Sequence, residues 1–345
     1  MDPIFVPSSS AMRAAQLSSF AAECEREVGR SLTTAEALHA FSIEDPGRFW
    51  RLFVAWSGLL VSGKLDPACE GTSAEHAVFF PRLRLSYVEN VLRGDSARPA
   101  LTAVREDGHV TRWTRRELTR NALAVAAGLE KLGVGPGDRV VAVAASSAEA
   151  VAACLGTAAI GAIWSSVAPD LGAPAILARL AQLRPKVLFF HPVQHDGGAA
   201  QDLGPKIAEV RAGLPTLLAS IALEADGGVT DADTLSLTSL LEADPERSLG
   251  DLPRFPWSHP LFIAFSSGTT GRPKCLVHSA GGTLVEQHKE HRLHSDLGPS
   301  DKLYFHTTPG WMMWNWLVSA LASGTAVVAA GRKSASQGVA RKKGT

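Results

Sequence analysis

The chain has 345 residues with 34 basic and 34 acidic side chains, so it carries no net charge that would attract nucleic acid or an anionic lipid surface. Its 46% hydrophobic and 20% charged residues describe a globular protein with a sizeable core, not a disordered chain. Cys24, Cys69, Cys154 and Cys275 are widely spaced and form no CxxC pair, which argues against a disulfide framework or a structural zinc and for reduced thiols in a cytoplasmic protein.

The first residues place Asp2 and Pro3 ahead of any basic or apolar run, unlike a secretory signal. Up to about residue 95 the aromatic clusters FSIEDPGRFW and FFPRLRLSYVENVL occur without strand–helix alternation, and a helical cap region is expected. Leu101 to Arg105 and Val110 to Trp113 flank Asp107-Gly108, a pair that favours a tight hairpin turn. Thr114 and Glu117 then form a capping box, and Leu118, Ala122, Val125, Leu129 and Leu132 recur at helical spacing until Gly133.

Arg139 to Ala145 reads as an apolar strand, followed by an Ala- and Gly-rich helix for which Ser146 and Glu149 supply the cap. Ser146, Ser147 and Glu149 break the most apolar stretch, Val140 to Val167, so a buried strand and helix are expected there and not a membrane span. Lys186 to Phe190, Leu261 to Phe265, Leu303 to Thr307 and Ala326 to Ala330 are further strand candidates, and Gly213 to Asp251 reads as a loop-rich connection. The alternation predicts an α/β fold with mostly parallel sheets covered by helices, whose chemistry belongs in the loops after strands.

The densest signal is LFIAF running into SSGTTGRPK. Gly268 and Gly271 allow close backbone approach to an anion, Ser266, Ser267, Thr269 and Thr270 offer hydroxyl and amide donors, and Lys274 adds a mobile positive charge. It is not a Walker A loop, because four residues separate Gly268 from Pro273 where a glycine belongs, and Cys275 follows the lysine. Cys275 has no partnered base and reads as packing. His288, His291 and His294, spaced every third residue among charged neighbours, read as a solvated helix face and not as metal ligands; no metal site is expected.

SSGTTGRPK resembles the signature phosphate loop of the adenylate-forming enzymes: acyl-CoA synthetases, luciferases and peptide-synthetase adenylation domains. KCLVHSAGGTL, GWMMWNW, GAIWSS, SYVENVL and FSIEDPGRFW resemble the acetoacetyl-CoA synthetases within it. The resemblance implies the adenylate-forming large-domain fold and a ligase that joins acetoacetate to CoA through an acyl-adenylate, with ATP, Mg2+ and CoA as its reactants. It implies that Ser266, Ser267, Gly268, Thr269, Thr270, Gly271 and Lys274 grip the β- and γ-phosphates, with Lys274 and Thr269 acting in catalysis. By the same likeness Trp311, Met312 and Met313 line the acyl pocket, His306 approaches it, and Asp170 to Gly172 lies near the pantetheine route. A plain aromatic core cluster including Trp314 and Trp316 is the alternative for that segment. His278 is expected to be structural.

The likeness divides the chain into an amino-terminal cap region, 1–95, a partial AMP-binding domain, 96–330, and a basic tail, 331–345, that departs from the family and is expected to be disordered. Relatives continue past this point into the hinge and small carboxyl-terminal domain, so neither half-reaction is expected to run efficiently on these residues alone. The rival readings are a ligase for acetate, propionate or another short acid, and an inactive nucleotide-binding fragment.

Overall fold

The computed structural model describes residues 6–71, 73, 75–196, 199–224, 234–242, 245–266 and 271–331. Helix Ser9–Ala14 is followed by helices Gln16–Val28, Ala35–Glu44 and Pro46–Ser57, and Asp45 caps the last by accepting from the Arg48 N–H with Pro46 at its first position. Their shared core is aromatic: Phe20 meets Phe49 and Phe53 edge-to-face at 5.5 and 5.6 Å. Between Ser62 and Leu85 the region expected to be helical instead forms short strands, before helix Tyr87–Leu92 capped by Ser86.

The centre is a seven-stranded sheet in the order Thr234–Ser236, Ala219–Ala222, Val187–Phe190, Arg139–Val143, Ile163–Val167, Pro260–Ser266, Lys274–Ser279. All neighbours are parallel except the last pair, which is an antiparallel hairpin. Parallel strands buried on both faces need continuous apolar runs, and Val187–Phe190 and Ile163–Val167 are buried throughout. A four-stranded sheet stands beside it, in which the hairpin Pro99–Val104 and Val110–Thr114 is extended by Ala326–Ala330 and Lys302–Tyr304. Gly108 in the hairpin turn has φ +90°.

The capping box of Thr114 and Glu117 starts helix Arg115–Lys131 as expected. Helix Ala148–Ala159 is capped by Ser147 accepting from the Ala150 N–H, and not by Ser146, whose hydroxyl is taken by Trp314. The stretch read as a loop-rich connection supplies two strands of the large sheet, because Ala219–Ala222 is too short to carry a periodic signal. The third strand candidate ends at Tyr304, three residues early, where the chain leaves the sheet toward Pro309. Of the expected tail, 331–345, all but Gly331 lies outside the described residues.

His288 and His291 overturn the solvated-face reading, since both are buried and only His294 is exposed. Helix Ala280–Lys289 continues as a π-helical turn, Glu290–His294, and this widening carries His291 under the Trp316 ring at 4.5 Å while His288 faces Phe53. Burial holds both imidazoles neutral, with pKa values pushed down to about 3 and about 4. Cys275, read as packing, is exposed on the edge strand Lys274–Ser279, and His278 on the same strand is half-buried. No group of acidic, histidine and cysteine side chains among the described residues could hold a metal.

Candidate functional site

Because Arg139–Val143, Ile163–Val167, Val187–Phe190 and Pro260–Ser266 run parallel, their following loops open on one edge of the sheet, the edge where ligands of such folds gather. Strand Pro260–Ser266 turns back there as Lys274–Ser279, and the last register pair is Ser266 opposite Lys274. The neck of the turn therefore presents a hydroxyl and an exposed ammonium group on facing positions, within reach of one anion. Ser267, Gly268, Thr269 and Thr270 lie outside the described residues. Gly271 sits at φ +105°, a conformation costly for any side chain, and the Pro273 carbonyl accepts from Gln182 Nε2 at 3.1 Å.

The second wall comes from residues 307–319. Ser166 Oγ, at the end of its strand, donates to the Pro309 carbonyl at 2.6 Å and accepts from Trp164 Nε1 at 3.1 Å. Gly310 follows where a Cβ would lie 3.2 Å from the Ala168 amide, so the chain passes tight against the strand end. Helix Met312–Ser319 then buries Trp314, whose Nε1 donates to Ser146 Oγ at 3.1 Å, while Trp316 Nε1 donates to Glu290 Oε2 at 2.9 Å. The segment thus divides: Trp314 belongs to the core, whereas Trp311 and Met312 remain 71% and 44% exposed and Met313 half-buried. His306 is exposed, with Nδ1 3.1 Å from the Tyr304 hydroxyl, and borders a cavity shared with Arg105, Glu106 and Gly331 at the end of the smaller sheet.

Beside the second wall, at the ends of the central strands, lies a cleft lined by Arg105, Ser146, Asp170, His191, Glu224 and Thr308, among others. Arg105 Nη1 is 3.2 Å from Glu224 and Nη2 is 3.0 Å from Asp107 and 2.9 Å from His195 Nε2. His191 is buried, and its Nδ1 accepts from the Ala145 N–H at 3.2 Å, which leaves the proton on Nε2, 3.5 Å from Glu224. Burial, then the charges of Arg105 and His195, push its pKa down to about 3, so this is a neutral imidazole beside a carboxylate and not an ion pair. Asp170 was singled out from the sequence; Arg105, His191 and Glu224 were not. The available signal was their position, each just after a strand, but the strand before Glu224 was itself hidden.

The AMP-binding enzyme family model matches residues 88–342, more than half of the chain and including both walls and the cleft. The chain is a member of the AMP-binding enzyme family. It is 38% identical over 333 residues to acetoacetyl-coenzyme A synthetase of Rhizobium meliloti, covering 93% of this chain and 50% of that protein. It is 36% identical to malonamoyl-CoA synthetase of Penicillium aethiopicum, over 92% of this chain and 46% of the relative. Among solved structures, an acetoacetyl-CoA synthetase from Streptomyces lividans superposes with a TM-score of 0.91 at 37% identity, covering 96% of this chain and 51% of that one. The chain thus spans about half the length of the family relatives it matches.

Proposed function

We propose that this chain serves an acetoacetate–CoA ligase. The acetoacetate carboxylate attacks the α-phosphorus of MgATP to give acetoacetyl-adenylate and pyrophosphate, and the thiol of CoA then displaces AMP to give acetoacetyl-CoA. The observation that carries the reading is the SSGTTGRPK hairpin at the carboxyl end of a parallel strand, with Ser266 and Lys274 facing across its neck. Pyrophosphate departure builds negative charge, and preplaced donors at the hairpin stabilise it, roughly 1.5 to 3 kcal/mol for each hydrogen bond to a charged group. Ser267, Gly268, Thr269, Thr270 and Gly271 complete that cradle in this reading, with Thr269 and Lys274 at the leaving phosphates.

Trp311, Met312 and Met313 are assigned to the acyl side, on the wall that Ser166 and Gly310 hold against the strand ends, and His306, just before that wall, is assigned to the approach to it. A Trp and two adaptable Met side chains suit a short acyl group. The cleft containing Asp170 and His191 is assigned to the approach of CoA. Residues 1–95 and 96–330 are read as the cap region and the adenylation domain. Among the described residues no helix is long and apolar enough to cross a membrane.

Choice of acid is where a second reading has support. Acetoacetyl and malonamoyl groups both carry a carbonyl two carbons from the reacting one, and relatives named for each match over similar shares of the chain. The test is acid-dependent pyrophosphate release with MgATP and acetoacetate, malonamate, acetate or propionate, first without CoA and then with it. It is run on the chain and on a fusion to the remaining half of the Streptomyces lividans relative. Preference for acetoacetate supports the assignment; preference for acetate or propionate overturns it. MgATP binding without release in either form leaves the nucleotide-binding reading standing.

A further inference from the structure

Helix Met312–Ser319, which begins within GWMMWNW, carries four side chains with nitrogen or oxygen atoms: Trp314, Asn315, Trp316 and Ser319. Three of them have protein partners. Trp314 Nε1 donates to Ser146 Oγ, Trp316 Nε1 donates to Glu290 Oε2, and Ser319 Oγ donates to the Asn315 backbone carbonyl at 2.9 Å. The fourth is different. Asn315 is 7% exposed, its Oδ1 is fully buried, and its side-chain amide makes no hydrogen bond among the described residues.

A buried amide without a partner is costly, and asparagine is a poor former of helix interiors, so neither burial nor helix formation favours this residue here. Its placement supplies a reason. Asn315 stands four residues after Trp311 and three after Met312, and helical side chains lean toward the N-terminal end of their helix. The amide therefore leans toward the turn that carries the exposed Trp311 and Met312, which is the acyl side in the ligase reading on which this inference rests.

We propose that Asn315 is a specificity-determining residue for the acid: its side-chain N–H donates to the carbonyl oxygen that lies two carbons from the reacting carboxyl carbon of acetoacetate. The acid then supplies the partner that the protein does not. Butyrate has the same four carbons and no such oxygen, so its binding leaves the amide unpaired and out of reach of water. Malonamate presents a carbonyl oxygen at the same place and is held in the same way.

The test compares acetoacetate with butyrate in acid-dependent pyrophosphate release, on the chain and on its fusion to the remaining half of the Streptomyces lividans relative, together with urea unfolding of the chain. The parent is expected to prefer acetoacetate. Asn315→Leu, close in shape and without the amide, should lower kcat/KM for acetoacetate about tenfold or more through KM, leave the KM for ATP and the use of butyrate undiminished, and hold or raise the unfolding midpoint. A lowered midpoint with release reduced alike for both acids would show an amide that only supports the fold, and overturns the proposal. Folded Asn315→Leu that keeps the parent's preference for acetoacetate overturns it while leaving the ligase reading intact. A parent that does not prefer acetoacetate to butyrate, or acid-dependent release by neither form, overturns the acetoacetate ligase reading together with it. If Asn315→Leu fails to fold, Asn315→Ala decides by the same ratio of the two acids, and failure of both to fold assigns the amide to the core and overturns the proposal.

Discussion

The SSGTTGRPK hairpin and residues 307–319 stand at the same sheet edge and are held in opposite ways. The returning arm of the hairpin is held mainly by backbone pairing, with Gln182 Nε2 on the Pro273 carbonyl: it is the outermost strand of seven, and Lys274 to Val277 are exposed. Residues 307–319 are held by buried side chains, with Ser166 on Pro309, Ser146 on Trp314, and the Tyr87 hydroxyl 2.6 Å from Ser319 Oγ. Chemistry placed on an exposed edge can be altered without unfolding the protein, whereas the shape of the opposite wall is part of the core.

The contrast is open to four tests, and the largest effect is expected in the wall. Trp314→Ala removes a fully buried indole and leaves Ser146 without its donor, and should cost about 3 to 5 kcal/mol in urea unfolding. Loss below about 1 kcal/mol would break the claim that this wall is core. Next, Lys274→Ala should lower acyl-adenylate formation on the order of 10²-fold while leaving the unfolding midpoint unchanged, since the side chain is exposed. A stability loss with unaltered adenylation would reverse the roles given to the two regions.

A smaller effect is expected for Ser166→Ala, about 1 to 3 kcal/mol, because the Pro309 carbonyl and the Trp164 indole N–H both lose their buried partner. If the wall positions the acyl group, the apparent KM for acetoacetate rises more than that for ATP. The fourth test is a pH effect. His288 and His291 are neutral in the fold with pKa values of about 3 and 4 against 6.5 when unfolded, so the unfolded chain binds more protons between these limits. Their contribution is complete above about pH 6.5 and is lost progressively toward pH 4. Urea unfolding of His288→Gln against the parent over this range should show a shallower acid slope.

Much of the local order was legible. The capping box at Thr114, the Asp107-Gly108 turn and the strand running into SSGTTGRPK are contiguous patterns whose physics acts within a few residues, and each forms where the pattern stands. The phosphate-loop likeness also led to the family to which the chain belongs. Four-residue Ala219–Ala222 and three-residue Thr234–Ser236 gave no comparable signal, because strands that short have no period to detect. Ser146 is the cap that spacing to Glu149 suggests, yet Ser147 takes the role because Trp314, 168 positions away, claims the Ser146 hydroxyl.

Neighbouring residues set the donor inventory gathered at one loop and the hydrophobic periodicity that makes the chain α/β, so both could be read without the fold. Tertiary structure alone decided the partners. It paired Ala326–Ala330 with Pro99–Val104, drew His288 and His291 into the core through a π-helical turn, and assembled Arg105, His191 and Glu224 into one cleft. Burial and long-range pairing depend on which surfaces meet once the sheets close, and no window of adjacent residues encodes that meeting.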